Sequence, residues 1–221
     1  MGKWSPITSC PSAGTTCVFG IGRKRICMSR KNIAILLFDD VEVLDFAGPF
    51  EVFSVTNWLN DDAILNVHTV ARKKAPVSAR NGLSVNPDFA IAEAPAPDFL
   101  IIPGGQGTST VLEQEDVIAW IKKSAESAEK VMSVCTGSLL LAKAGLLEGL
   151  RATTHHMLFD QLAELAPNTE IVRGERFVDN GKIITSGGIS AGIDMSLYVI
   201  ARVYGEEAAQ KTADIMEYRY V

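Results

Sequence analysis

Short apolar runs alternate with amphipathic stretches along the chain from Asn32 onward. The runs at 33–38 and 99–102 are apolar at every position, which is typical of strands buried on both faces of a parallel sheet. We predict further strands at 65–71 and 130–134 and near Phe177 and Ile183. The pattern therefore indicates a sheet whose central strands lie inside the protein.

The amphipathic stretches between these runs predict helices. Gly48-Pro49 is a start signal, because proline is tolerated in the first turn, so we expect the first helix to begin there. Later helices are predicted over 117–128, 158–165, 193–204 and 206–217. Asn81-Gly82 predicts the turn of a hairpin that spans 77–85. This order of elements indicates an α/β fold with a mostly parallel sheet covered by helices on both faces.

Composition places the chain among ordinary globular proteins. It has 221 residues, of which 47% are hydrophobic and 21% charged, which suits one domain with its own core. A net charge of −5 gives no electrostatic basis for binding nucleic acid or an anionic membrane. No apolar run approaches the roughly 18 residues of a spanning helix. We therefore expect a small-molecule substrate as the partner, with no nucleic acid and no membrane.

Residues 1–31 differ in character from the rest of the chain. They are basic and contain no Asp or Glu, and we expect them to be a disordered leader that precedes a single domain over 32–221. Three of the four cysteines (Cys10, Cys17 and Cys27) lie there, at spacings that match no usual zinc site, so no metal is predicted. A reducing, cytoplasmic setting is the simplest one, with organellar targeting by the basic leader as the alternative.

Cys135 lies where the predicted strand 130–134 gives way to a helix through Thr136 and Gly137. A helix start offers unpaired N–H groups and the positive end of the helix dipole, which favour a thiolate. A buried core cysteine is the other reading, because free cysteines are often buried. The position at a strand end favours the reactive cysteine.

Three segments with turn residues follow predicted strands. They contain Asp45, Gly104-Gly105 and Cys135. Because ligands of open α/β sheets bind outside the carboxyl ends of the strands, we expect the three segments to converge on one site. An acid, a glycine-rich loop and a nucleophile together suit covalent catalysis.

Four ordered motifs resemble those of the DJ-1/PfpI superfamily, and specifically its isocyanide (isonitrile) hydratase branch. They lie at 44–49, 101–105, 134–155 and 185–194, and they also resemble the ligand-sensing domains of AraC-type regulators. The resemblance implies a flavodoxin-like three-layer α/β/α sandwich, class I glutamine amidotransferase-like, that forms a homodimer.

The same resemblance implies an enzyme that hydrates an isonitrile to an N-substituted formamide without a cofactor. Cys135 would be the nucleophile and form a thioimidate, and Asp45 would deliver the proton and later activate water. Burial beside the sulfur should raise the pKa of Asp45. Thr136 would complete the catalytic group, while Gly104, Gly105 and His155 would line the substrate pocket or hold an oxyanion.

His155 also suggests a Cys/His dyad, as in DJ-1-like members of the superfamily. In the hydratase-like members the aspartate serves the cysteine instead, so we favour a role for His155 in the pocket wall. A glutamine amidotransferase triad is disfavoured, because Met157 stands where those enzymes have a glutamate. His156 departs from the hydratase pattern, which has a tryptophan there, and suggests a more polar wall.

Two other functions stay open. A glyoxalase-like or deglycase-like enzyme would act on reactive carbonyls, but DJ-1-like members have a glutamate where Asp45 stands. A non-catalytic module related to the ligand-sensing domains of AraC-type regulators is the second. Such regulators read DNA with a further domain, for which we expect too little chain after Gly205.

Overall fold

A computed structural model of the protein describes residues 15–17 and 27–220, with side chains from residue 30 onward. The strands are β1 Thr15–Cys17, β2 Cys27–Ser29, β3 Lys31–Leu37, β4 Leu65–Ala71, β5 Val77–Ser78, β6 Ser84–Val85, β7 Phe89–Ala90, β8 Phe99–Ile102, β9 Lys130–Val134, β10 Arg151–Ala152, β11 Glu170–Ile171, β12 Phe177–Asp179 and β13 Ile183–Ser186. The helices are α1 Val43–Trp58, α2 Thr108–Val111, α3 Glu115–Ser127, α4 Gly137–Lys143, α5 Phe159–Leu165, α6 Ala191–Tyr204 and α7 Glu206–Ile215.

A seven-stranded sheet forms the centre, in the order β12-β13-β9-β8-β3-β4-β7. All neighbours in it pair in parallel except the edge pair β12–β13, which is antiparallel. Helices α1, α6 and α7 pack together as one group, and α4 packs with α2, α3 and α5 as another. The predicted α/β class and flavodoxin-like sandwich are confirmed.

The core lies along the three central strands. All of β8 and nearly all of β3 and β9 are buried, which explains why their sequences carry no polar alternation. Phe53 of α1 packs against Phe99 of β8 with ring centroids 6.2 Å apart, which fixes that helix over the sheet. The predicted strands 65–71, 99–102 and 130–134 have the bounds that the structure gives them.

The predicted start of the first helix is wrong. Helix α1 begins at Val43, and Pro49 lies inside it instead of in its first turn. Proline has no N–H to donate to the carbonyl of Asp45, but buried Phe46, Val52 and Phe53 supply the packing that continues the helix. Asp45 therefore belongs to the first turn of α1, with its side chain inside the protein.

The predicted hairpin at 77–85 is confirmed, since β5 and β6 pair antiparallel. Asn81 and Gly82 have φ angles of 61° and 82°, the left-handed values that a tight hairpin turn requires. The hairpin is docked on the loop after β3, where Asp40 N–H donates to Ser78 O (2.8 Å) and Arg80 N–H donates to Val41 O (2.9 Å).

The predicted disorder of 1–31 falls mainly on residues outside those described. Within that range, β1 and β2 pair antiparallel, and Lys31 already belongs to β3. The side chains of the three leader cysteines also lie outside the described residues. In the part of the chain that the structure covers, no helix is long and apolar enough to cross a membrane.

Candidate active site

The site lies in a crevice at the carboxyl ends of the central strands. The chain leaves β3 for β4 on one side and then returns to β8 on the other, so the connections diverge and open a crevice there. Asp45 enters it from α1, Gly104-Gly105 follow β8, and Cys135 follows β9. Glu42 N–H donates to Gly104 O (2.9 Å), which joins the first two segments. The expected convergence of the three segments is what the structure shows.

Cys135 occupies a sharp turn between β9 and α4. Its φ of 57° lies in the left-handed region, which is costly for a residue with a side chain. The turn is held by its N–H, which donates to Gly187 O (3.0 Å), and by its carbonyl, which accepts from Thr154 Oγ1 (3.0 Å). A Cβ added to Gly137 would lie 2.0 Å from Ile102 O, so the residue two places on must be glycine.

Asp45 is fully buried beside this turn. Its Oδ2 accepts a hydrogen bond from Gly104 N–H (3.0 Å), whereas Oδ1 has no hydrogen-bond partner among the described residues. Burial raises the pKa of the carboxyl to about 7, with a further rise from the charge of Glu42, against the lowering effects of the Gly104 N–H and the Cys135 thiol. The expected rise in the pKa of Asp45 is confirmed.

The thiol of Cys135 is protonated at neutral pH. Burial raises its pKa to about 12, and the charge of Asp45 adds to the rise. The N–H and hydroxyl of Thr136 act in the opposite direction but do not compensate. Our expectation of a thiolate favoured by the helix start is therefore wrong, because loss of solvent outweighs the local donors. Ionisation of the thiol needs a base, and Asp45 is the carboxylate that interacts with it.

Thr136 anchors a short hydroxyl network. Its Oγ1 accepts from Gly105 N–H (2.9 Å) and lies 2.8 Å from Oγ1 of buried Thr108. The two glycine N–H groups thus hold Asp45 and Thr136 in place instead of standing free for an oxyanion. A Cβ on Gly104 would come within 2.5 Å of Thr136 N, so glycine permits this approach.

A cavity of about 440 Å³ opens onto Cys135 and Thr136. Its apolar lining includes Leu112, Leu139 and Leu158. The polar lining consists of Glu42, Arg80, Gln106, Thr108, Ser109, His155 and Gln161. Sequence reasoning missed Glu42, Arg80 and Thr108. Their signal is weak, because single polar residues in loops look like solvated positions until the fold brings them together.

Ile189 is a further residue that the sequence does not reveal. It has a φ of 58°, which is an outlier for a β-branched residue, and its side chain lines the cavity. Its backbone also acts on the Asp45 carboxyl and lowers the pKa of that group. Ile189 therefore brings the loop before α6 into the site.

His155 lies in the cavity wall. Its Nδ1 accepts weakly from Met157 N–H (3.4 Å), and its ring stacks on His156 with centroids 4.4 Å apart. Burial and the neighbouring His156 lower its pKa, which keeps the ring neutral at pH 7. The thiol of Cys135 interacts with Asp45 and Thr136 and not with this ring. This placement fits the pocket role that we assigned to His155.

The described side chains include no cluster of three His, Cys, Asp or Glu residues arranged to hold a metal ion. At the site, Asp45 and Cys135 interact with each other, and Glu42 adds a further carboxylate to the cavity lining.

Together the fold and the site define an α/β protein with a cysteine in a strained turn and a buried carboxylate beside it. The model of the DJ-1/PfpI family matches residues 31–202, and the chain belongs to this family. The family inferred from the four motifs is thereby confirmed.

Relatives include an enzyme and a regulator. Isonitrile hydratase of Pseudomonas putida is 38% identical over 186 residues, which cover 84% of this chain and 78% of that protein. HTH-type transcriptional regulator GbdR of Pseudomonas aeruginosa is 29% identical over 191 residues, or 86% of this chain and 52% of the regulator. The crystal structure of a ThiJ/PfpI family protein from Pseudomonas syringae has a TM-score of 0.79 at 29% identity, covering 88% of this chain and 77% of that one.

Proposed function

We propose that the protein is an isonitrile hydratase, which adds water to R–N≡C and releases the N-substituted formamide. The observation that carries the proposal is the buried pair of Asp45 and Cys135, a carboxyl whose pKa is raised to about 7 beside a protonated thiol. Similarity to the Pseudomonas putida hydratase supports the same assignment. Cys135, Asp45 and Thr136 are the proposed catalytic residues.

The first step joins sulfur to carbon. The Asp45 carboxylate takes the thiol proton as Sγ attacks the terminal carbon of the isonitrile. The same carboxyl then gives this proton to that carbon, which yields the thioimidate Cys–S–CH=N–R. No group leaves, so each atom of the thiol and the substrate is retained.

The second step adds water to the thioimidate. Asp45, again a carboxylate, removes a proton from water as the water oxygen attacks the same carbon, and it passes this proton to the nitrogen. Asp45 then takes the remaining proton of the new hydroxyl as the carbonyl of the formamide forms and the C–S bond breaks, and it returns that proton to sulfur. The cycle ends with the thiol and carboxylate with which it began.

This chemistry needs one proton on the Asp45–Cys135 pair. Two forms of the pair carry this single proton: a thiol beside a carboxylate, and a thiolate beside a carboxylic acid. The two forms share one pH dependence. Thr136 donates its N–H and hydroxyl toward the sulfur and so stabilises the charge that develops there. Gly104 and Gly105 hold Asp45 and Thr136 in place through their N–H groups, and His155 lines the substrate pocket.

The proposal is tested by incubating the protein with a simple isocyanide and following the formamide by mass spectrometry. Cys135→Ala and Asp45→Asn should each abolish formation of the product. Asp116→Asn is the matched control, because Asp116 also lies in the first turn of a helix but is exposed and paired with Arg72. This control should keep full activity.

Methylglyoxal in a parallel assay separates the other enzyme class. If it were consumed while no isocyanide gave a formamide, the hydratase proposal would be wrong. Ligand binding without turnover of either compound would instead favour a sensing module. The homodimer and the cytoplasmic location stay predictions, and light scattering of the full chain tests the first.

A further inference from the structure

The active-site cavity carries one pair of opposite charges in its wall, Arg80 and Glu42. Among the residues that line it, Arg80 is the one lysine or arginine. Both side chains are partly buried, with 35% of Arg80 and 24% of Glu42 exposed. The chemistry at Cys135 uses neither group, so the role of this charge pair is unassigned.

The salt bridge between them is loose. Arg80 Nε lies 3.4 Å from Glu42 Oε2, whereas Arg72 Nε lies 2.7 Å from Asp116 Oδ2 elsewhere on the surface. The described residues offer the guanidinium of Arg80 no other side-chain acceptor. Its terminal nitrogens therefore keep N–H donors that have no acceptor among the described residues, in a geometry suited to a planar carboxylate.

Arg80 is positioned by its backbone and not by this side chain. Its N–H donates to Val41 O, and the hairpin is further tied by Ser78 N–H to Asp39 Oδ1 (2.9 Å). The left-handed Asn81 and Gly82 fix the turn beside it. The side chain is thus held at the cavity without being needed to hold the hairpin, as expected of a residue that meets a ligand.

We propose that the substrate is an isonitrile that bears a carboxylate, with its terminal carbon at Cys135 and its carboxylate on Arg80. This inference rests on the proposed hydratase function. The apolar residues of the lining, Leu112, Leu139 and Leu158, would accommodate the carbon chain between the two ends. Glu42 competes for Arg80 and repels the anion, so it sets how strongly the acid is preferred.

Matched pairs of substrates test the proposal. Isocyanoacetate is compared with isocyanoacetamide, and 3-isocyanopropanoate with its amide, because acid and amide differ in charge and hardly in size. In at least one pair, kcat/KM should favour the acid by about tenfold or more, as for a charge-assisted bidentate contact. Arg80→Ala should remove this preference, and Arg80→Lys should keep only part of it.

Glu42→Gln should increase the ratio of kcat/KM for the acid to kcat/KM for the amide, which is the opposite of the effect expected for Arg80→Ala. The ratio is the readout because any effect of Glu42 on the pKa of Asp45 acts on both substrates equally. Arg72→Ala is the matched control, since Arg72 does not line this cavity, and it should leave the ratio unchanged. Equal rates for acid and amide in both pairs, or a preference that survives in Arg80→Ala, would overturn the proposal.

A binding assay separates this inference from the proposed function. The expected product, N-formylglycine, and neutral N-formylglycinamide are titrated calorimetrically into Cys135→Ala protein with Arg80 intact or replaced by Ala. Tighter binding of the acid that depends on Arg80 supports the anion subsite even if no isonitrile is hydrated. Equal binding of both compounds contradicts it whatever the outcome of the activity assay.

Discussion

Asp45→Asn should stabilise the protein while it abolishes the proposed activity. In the folded state the pKa of Asp45 is raised from 3.8 to about 7, so folding favours the neutral carboxyl. As pH rises above 3.8, ionisation of this group in the unfolded chain lowers the free energy of unfolding. The loss levels off once the folded protein also ionises, above about pH 7.

The size of the effect follows from these values. Relative to a neutral side chain, Asp45 lowers the free energy of unfolding by about 2 kcal/mol at pH 5 and about 4 kcal/mol at pH 8. Asparagine is neutral at both values, and its side-chain oxygen can still accept from the Gly104 N–H. The stability gained by Asp45→Asn should therefore be larger at pH 8 than at pH 5 by about 2 to 3 kcal/mol.

Urea unfolding of both proteins at the two pH values measures this difference, because the linear slope yields a free energy for each. Asp116→Asn is the control, since that carboxyl is exposed and its pKa is lowered by Arg72, so its variant should show no gain at pH 8. The same stability difference for Asp45→Asn at pH 5 and pH 8 would refute the conclusion that burial holds a proton on Asp45.

Two further predictions concern the reaction. The kcat/KM for formamide formation should rise with pH and level off above about 7, because the Asp45–Cys135 pair then carries a single proton. At high pH, kcat/KM should decrease again near the pKa of the thiol, about 12. A flat profile between pH 5 and pH 9 would contradict this assignment. Thr108→Val should lower kcat/KM by about tenfold, because the hydroxyl that lies 2.8 Å from Thr136 Oγ1 and helps to position it beside Cys135 is lost. Thr108→Ser should restore most of the rate, and equal losses in both variants would indicate a packing defect.

The sheet could be predicted well from the sequence, because strands buried inside a parallel sheet have continuous apolar sequences. The strand at 99–102 is an example. Some of the shortest elements, β7, β10 and α2, were not predicted, since two to four positions carry no periodicity. The start of α1 was misplaced because Gly48-Pro49 is a strong local signal that tertiary packing overrides.

The site was only partly predictable. Asp45 and Cys135 follow strands, and the rule that carboxyl ends of parallel strands share one edge is enough to bring them together. Arg80 and Thr108 enter through a hairpin and a short helix whose docking depends on long-range hydrogen bonds. No local pattern encodes such contacts.

The direction of the pKa shift at Cys135 connects the fold with the chemistry. A thiolate stabilised in advance would suit a substrate that loses a group, because that group carries the charge away. An isonitrile loses none, and its carbon must gain a proton as sulfur attaches. Burial opposes charge on Asp45 and on Cys135 alike, so the pair keeps a proton between its two acceptors at neutral pH. The same burial that makes Cys135 a poor thiolate therefore keeps the proton that the proposed reaction needs within reach of the carbon.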